Sequence, residues 1–232
     1  MSEYQYYEFL AIDHPLSAKD LAELRALSTR AQITTVSFIN VYNYGDFRGN
    51  PDALMKRYFD AHIYLANWGH CRLSLRLPRD ALDFKIAAAY GTENALVIKE
   101  VGAHWVINWE LSESESDRFG GEDDGSGWMS RLTPLRNELL RGDWRGLYIG
   151  WLAGATAGEL EDDQREPPLP AGMKQLTAAQ SALAEFLEVD PDLLAGAAQA
   201  SADPGNTPAQ EEADVPLFID ANLIVAAIDN QA

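Results

Sequence analysis

The sequence predicts an α+β fold in which an N-terminal mixed sheet with packed helices is followed by an all-α C-terminal region. Two patterns predict it. Over residues 1–111, strand-like stretches alternate with helix-like stretches, whereas residues 128–201 show helical patterns alone. Apolar residues make up 47% of the chain and charged residues 23%. This balance is typical of a globular protein and excludes collagen-like, disulfide-framework and wholly disordered classes.

The first elements follow a strand-helix-strand order. Residues 4–12 are aromatic and aliphatic with a single charge, which predicts a strand. A helix comes next, because Ser17 is a good N-cap and Asp20 completes a capping box three residues later. Residues 32–42 return to β-branched and aromatic side chains and predict a second strand. This order suggests a ferredoxin-like start.

A second helix is predicted over about 51–67. Asn50 is a favourable N-cap, and Pro51 is tolerated in the first turn because the missing N–H has no helical partner there. The remaining elements of this half are a strand that alternates between apolar and polar side chains, a short helix and a hairpin, over residues 71–77, 80–90, 96–101 and 104–111.

The C-terminal half divides into three stretches. Residues 112–127 are rich in acidic residues, glycine and serine and predict a mobile acidic linker. Residues 128–201 form an acidic helical region, and residues 202–232 comprise a second linker and an apolar docking tail. Four helices are predicted in the helical region, over about 129–141, 143–158, 177–188 and 191–201.

The negative charge is concentrated in the second half of the chain. The formal net charge is −18, of which residues 1–110 carry −2 and residues 111–232 carry −16. Such a surface repels phosphate backbones and anionic membranes. We therefore expect no direct nucleic-acid or membrane binding, and instead a protein partner with a basic surface. The oligomeric state stays open.

The sequence also predicts a cytoplasmic protein. Cys71 is the only cysteine, so no internal disulfide can form, which fits a reducing compartment. The N-terminal residues show neither the basic start nor the apolar run of a secretory signal. No apolar stretch reaches the ~20 residues that span a bilayer.

No motif indicates catalysis or a cofactor. One cysteine and four histidines lack the paired spacing of a zinc site. The acidic loops 122–127 and 159–163 carry oxygen ligands but do not match the spacing of a calcium loop, so a solvated surface is the simpler interpretation. Residues 176–194 have the rhythm of a helix-turn-helix, but their second helix contains no Lys or Arg to contact DNA.

Partner-binding candidates come from an aromatic loop, the acidic stretches and the tail. The aromatic loop over residues 42–50, with Tyr42, Tyr44 and Phe47, suggests either a recognition loop or aromatic side chains that fold back over the sheet edge. The tail docks either on its own domain or on a partner. The candidate residues are Tyr44, Phe47, Arg48, Asp123, Asp124, Trp128, Glu161, Asp162, Asp163, Leu217, Phe218 and Ile219.

Three segments resemble an uncharacterised bacterial protein family of unknown function. They are the opening YQYYEFLAID at residues 4–13, YLANWG at 64–69 and DDGSGW at 123–128, and the similarity covers about residues 1–200. The resemblance implies an accessory role beside nucleic-acid-processing genes and transfers no catalytic residue.

Together these features favour a non-catalytic acidic accessory or adaptor subunit of a bacterial multi-protein assembly. Nucleic-acid processing and defence against phage are the settings that we expect for such an assembly. Two alternatives stay open: a nucleic-acid mimic that occupies a DNA-binding protein, and a metal-dependent hydrolase that uses the acidic loops.

Overall fold

The computed structural model describes residues 4–112, 114, 124–160 and 164–203. The strands are β1 (Gln5–Leu10), β2 (Gln32–Ile33), β3 (Ser37–Tyr42), β4 (Ala61–Ala66), β5 (Cys71–Pro78), β6 (Leu96–Val101) and β7 (His104–Leu111). The helices are α1 (Ala18–Leu27), α2 (Pro51–Arg57), α3 (Phe84–Ala88), α4 (Trp128–Leu132), α5 (Pro134–Leu140), α6 (Arg145–Thr156), α7 (Ala178–Phe186) and α8 (Pro191–Ala200). The α+β class is confirmed.

The seven strands form one sheet in the order β2-β3-β1-β4-β5-β7-β6, and all of its neighbouring strands pair antiparallel, so the sheet is antiparallel and not mixed as predicted. Its first part runs β1-α1-β2-β3-α2-β4 along the chain, and β3 lies between the two strands that α1 connects. This is the split β-α-β arrangement of a ferredoxin-like unit. The ferredoxin-like start is therefore present, and β5, β7 and β6 extend it beyond β4.

The predicted helix caps at Ser17 and Asn50 and the predicted hairpin near Gly102 are all present. The Ser17 hydroxyl accepts a hydrogen bond from the Asp20 N–H and the Asp20 carboxylate accepts one in return, which is the predicted capping box. The Asn50 side chain caps α2 through the Ala53 N–H. The hairpin β6–β7 turns at Gly102, as expected.

Two element predictions were wrong in the N-terminal half. Residues 32–42 form a hairpin of β2 and β3 rather than one strand, because Thr34 bonds back to Ser37 and reverses the chain. The helix predicted over 51–67 ends at Arg57, and its second part is strand β4. The apolar run of β4 fits both the helical and the strand period. Its pairing with both β1 and β5 makes it a strand that is buried on both faces.

Other helices are shorter than predicted. The helix expected over 80–90 is a single 3-10 turn at Arg79–Ala81 followed by α3. The helix expected over 129–141 divides into α4 and α5 at Pro134, which has no N–H to continue the first helix. Their positions along the chain nevertheless agree with the prediction.

The sheet carries helices on both faces. Helices α1 and α2 cover one face over β1, β3 and β4, where Phe9, Phe38 and Phe59 are fully buried. Helices α4 to α8 belong to the other face, where apolar side chains of β4, β5 and β7 join those of the helical region in one cluster. Trp109 on β7 donates its indole N–H to the carbonyl of Gly146 on α6 at 3.0 Å. The helical region and the sheet therefore share a core.

A buried ionic cluster ties the two regions together at one end of β5. The Asp60 carboxylate accepts hydrogen bonds from the backbone N–H groups of Ile12 and Asp13 and from the Arg76 guanidinium. Arg136 on α5 donates to the Arg76 carbonyl at 2.8 Å and to the Asp13 carboxylate at 2.7 Å. Because Arg136 is only 4% exposed, this contact is a fixed part of the packing between α5 and the sheet.

Candidate functional site

The segments that distinguish this sequence meet at one end of the sheet. Gln5 at the start of β1 lies opposite Tyr42 at the end of β3 and opposite Ala66 at the end of β4. The loop over 43–50 and the turn over 67–70 therefore leave the sheet on either side of β1, about 10 Å apart at two strand spacings. We call the surface formed by Tyr44, Asp46, Trp68 and Asp124 the aromatic end.

The loop over 43–50 is anchored to the sheet at two points. The Gln5 side-chain amide donates to the Gly45 carbonyl and to the Asp46 carboxylate, both at 3.2 Å. The Phe47 ring packs against Tyr7, with 5.2 Å between ring centroids, and is only 8% exposed. Phe47 thus folds back over the sheet, whereas Tyr44 remains 77% exposed.

The turn after β4 presents a second aromatic side chain that sequence reasoning missed. The Asn67 side-chain carbonyl accepts from the Tyr4 N–H at 3.0 Å, and Gly69 adopts a φ of +87°. Trp68 between them is 46% exposed. An aromatic residue flanked by asparagine and glycine, both frequent in turns, is the signal that could have identified it.

Residues 124–128, the described part of the DDGSGW segment, close this end of the sheet from the helical side. The Tyr4 hydroxyl donates to the Asp124 carbonyl at 2.6 Å. Gly125 has a φ of +79°, which favours glycine, and a Cβ there would lie 2.6 Å from Leu65 Cδ1, so the buried Leu65 side chain would have to shift. Trp128 is buried against Phe186, with 5.1 Å between the ring centroids. Described residues of all three segments, 4–13, 64–69 and 123–128, therefore contact one another at this end.

Behind the aromatic end lies a hydrogen-bonded polar row. The side-chain oxygen of Gln5, Oε1, accepts hydrogen bonds from the hydroxyls of Tyr7 and Tyr64, at 2.7 and 3.2 Å. Burial raises the pKa of Tyr7 to about 12 and also raises the pKa of Tyr64, so both stay protonated at neutral pH. Farther along, His70 Nε2 lies 2.9 Å from a Glu110 carboxylate oxygen, and this hydrogen bond lowers the pKa of Glu110.

The most deeply buried titratable side chain of this region is His62. Its ring stacks on Phe9 with 3.9 Å between centroids and an interplanar angle of 8°. Burial lowers the pKa of His62 to about 3, so the ring is neutral at physiological pH. A neutral ring with no exposed surface packs the core and is not placed to exchange protons with a substrate.

The remaining predicted site residues fall into three groups. Arg48 and Asp124 are exposed, on loops at the aromatic end, whereas Trp128 and Phe47 are buried as described. Asp123, Glu161, Asp162, Asp163, Leu217, Phe218 and Ile219 lie outside the described residues.

Two absences apply to the part of the chain that the structure describes. Within it, no group of three or more His, Cys, Asp or Glu side chains is placed to hold a metal ion. Across those same ranges, no helix combines the length and the apolarity needed to cross a membrane.

Comparison with known proteins adds no relative. No protein-family model, no curated protein and no solved structure matches the chain. The resemblance to a bacterial family therefore stays a prediction, and the function must be argued from the site.

Proposed function

We propose that this chain is a non-catalytic acidic adaptor that binds a protein partner with a basic surface, and that the aromatic end is the contact. The observation that carries the proposal is the exposure of Tyr44 and Trp68 on loops that leave the sheet on either side of β1. Exposed Asp46 lies two residues after Tyr44, and exposed Asp124 is held at the same end by the Tyr4 hydroxyl. A bacterial assembly that processes nucleic acid or defends against phage is the setting we propose for it, on the resemblance alone.

Aromatic side chains of this kind favour protein binding. Tyrosine and tryptophan are enriched among the residues that carry most of the binding energy at interfaces. Here both stand on fixed supports, because Gln5 and buried Phe47 hold the loop of Tyr44 and Asn67 holds the turn of Trp68. A surface that is ordered before binding loses less entropy when the partner arrives.

The chemistry of the same surface favours a basic partner. Lys and Arg side chains stack on the faces of Trp and Tyr rings through cation–π attraction and pair with nearby carboxylates. A hydrogen bond from Ser126 lowers the pKa of Asp124, so this carboxylate is charged at neutral pH. The charge of −16 on residues 111–232 attracts a basic partner at longer range.

The buried ionisable groups support a binding role rather than a catalytic one. Asp60 is saturated by backbone N–H groups and Arg76, and His62 is held neutral beneath Phe9. Glu110 is engaged by His70. Asp60 and His62 are therefore not presented to a substrate, and the partly exposed Glu110 pairs its carboxylate with His70 and Arg72.

The test is affinity capture from native lysate with the full chain at physiological salt. The wild type should retain a partner with a basic surface, identified by mass spectrometry. The double variant Tyr44→Ala, Trp68→Ala should retain at least about tenfold less of it, since interface anchors of this type contribute about 2 kcal/mol each. Retention by the wild type should fall as salt is raised, because exposed charges are screened.

The matched control is Leu193→Ala on α8, another exposed apolar side chain, at 38% exposure, away from the aromatic end. It should retain the partner as the wild type does. Equal retention by the control and the double variant would contradict the assignment of the surface. A wild-type chain that elutes alone as a stable monomer would contradict the adaptor function itself.

A further inference from the structure

A groove of about 630 Å³ runs along the outer surface of the helical region, between α4 and α5 on one side and α7 on the other. Small side chains line it on both sides, and larger polar ones stand at its rim. The lining comprises Ser130, Arg131, Pro134, Glu138, Thr177, Ala178, Ala179, Ser181, Ala182 and Glu185. Its lining contains no aromatic or long aliphatic side chain, so an occupant needs large side chains of its own to fill the groove.

The charges at the rim are already satisfied. Arg131 pairs with Glu185 across the groove and lies over the Trp128 ring, 4.2 Å from its centroid. Glu138 accepts from the Thr177 hydroxyl and from the Gln180 amide, both at 2.8 Å. Because these groups have partners, the groove makes little demand for a charged ligand. The apolar part of the lining, formed by Pro134, Ala178, Ala179 and Ala182, is the surface that a peptide segment with apolar side chains would contact.

The described part of the chain ends beside this groove. Asp203 pairs with Lys174, at 3.7 Å between the carboxylate oxygen and Nζ. Lys174 precedes Thr177, at one end of the groove, by three residues, which span at most about 11 Å. Whatever follows residue 203 along the chain therefore starts close to the groove.

An apolar segment follows at a suitable distance. Ten of the twelve residues from 217 to 228 are apolar, and Asp220 is the only charged one. Residues 204–216 separate it from Asp203, and these thirteen residues reach at most about 45 Å. Left in water, so apolar a segment would expose a patch that a soluble protein rarely tolerates.

We propose that the segment 217–228 docks in the groove between α4, α5 and α7 of its own chain. Tethering favours this occupant over any free one, because a short connection holds the segment at an effective concentration in the millimolar range. The side chains that we expect to enter the groove are the large aliphatic ones, such as Leu223 and Ile224, which supply the bulk that the groove lining lacks.

The experiment attaches a spin label to the full chain at Asn137→Cys, an exposed position of α5 beside Glu138 that leaves the groove lining untouched, and measures paramagnetic broadening of the backbone amide signals of residues 217–228. Cys71 is fully buried, so the label reacts at the introduced thiol. The label should cause loss of these signals. The matched control carries the label at Lys56→Cys, an exposed residue of α2 on the opposite side of the sheet, and should leave them intact.

A second test replaces the large aliphatic side chains of the segment itself. Leu223→Asp with Ile224→Asp, introduced into the chain labelled at Asn137→Cys, should restore the lost signals because charged side chains oppose burial in the groove. Three outcomes would overturn the proposal: equal broadening from both label positions, intact signals with both labels, or broadening that persists in the aspartate variant.

A mixing experiment separates this proposal from docking on a second copy. Spin-labelled chain without isotope is mixed with isotope-labelled chain that carries no spin label. If the segment docks on its own chain, the isotope-labelled segment keeps its signals in the mixture. Broadening in the mixture would place the segment on another copy and overturn the proposal.

Discussion

Replacing Asp60 by asparagine should lower the stability of the folded protein more than any other charge-removing substitution at its own end of β5. One oxygen of the Asp60 carboxylate accepts from the Ile12 and Asp13 N–H groups at 2.7 and 3.0 Å, and the other from Arg76 at 2.7 and 3.1 Å. An asparagine keeps only one oxygen. Its amide group must therefore face either two backbone donors or the guanidinium.

The size of the stability loss follows from the burial of Arg76, whose charge loses its carboxylate partner in Asp60→Asn. The Arg76 side chain is 13% exposed and that of Asp60 only 2%, so the charge that remains cannot return fully to water. Breaking such a buried pair costs about 3–5 kcal/mol. Two further acceptors for Arg76, the carbonyls of Met55 and Lys56, hold the cost near the lower end of that range. We expect a loss of about 3 kcal/mol for Asp60→Asn.

Urea unfolding at pH 7, followed by far-UV circular dichroism and tryptophan fluorescence, measures this loss. With a slope of about 2–3 kcal/mol per M, the midpoint should fall by about 1–1.5 M. The matched control is Asp52→Asn, because Asp52 also pairs with an arginine of β5, Arg72, but has a 66% exposed side chain. That substitution should cost less than about 1 kcal/mol.

The stability difference between the wild type and Asp60→Asn should depend on pH. Burial alone would raise the pKa of Asp60, but the hydrogen bonds from Asp13, Ile12 and Arg76 outweigh it and hold this pKa below its usual value. The stability that the carboxylate contributes is therefore fully present above about pH 4 and is lost as the pH falls through the pKa of the folded state. The gap between wild type and Asp60→Asn should shrink there. A gap below about 1 kcal/mol at pH 7, or one that does not shrink in acid, would refute the reasoning.

Two further predictions concern packing. Gly125→Ala should lower the free energy of unfolding by about 2 kcal/mol or more, since the new Cβ would lie 2.6 Å from Leu65 Cδ1. The control is Gly142→Ala, which should cost only about 1 kcal/mol: Gly142 has a similar φ of +80°, but a Cβ added there would meet no other atom within 4 Å. Equal losses for the two variants in thermal unfolding would argue against the contact between the new Cβ and Leu65. His62, whose pKa burial lowers to about 3, charges in the unfolded chain below about pH 6.5 but not in the folded one. The free energy of unfolding should thus fall as the pH drops from 6.5 to 4, and in His62→Gln this fall should be smaller. Urea unfolding at each pH measures it. An unchanged slope of the free energy of unfolding against pH would contradict a neutral, buried His62.

The sequence by itself determined those elements whose signals are local. The capping box of Ser17 and Asp20 and the cap at Asn50 begin helices wherever they stand, because their hydrogen bonds close within three residues. The alternation of β5 identified its buried face, since neighbouring side chains of a strand point to opposite sides. The loop over 43–50 was recognised as distinctive on its composition alone.

Tertiary structure decided what depends on distant partners. Residues 61–66 became a strand because β1 and β5 supply backbone partners on both sides, and no local period encodes that pairing. The choice between Phe47 and Tyr44 as the buried aromatic depended on where Tyr7 lies, forty residues earlier. Trp68 joined the aromatic end only because strand register aligned its turn with that loop. Such contacts join residues far apart in the chain, so their energy is set by the fold as a whole and leaves no pattern in a short stretch of sequence.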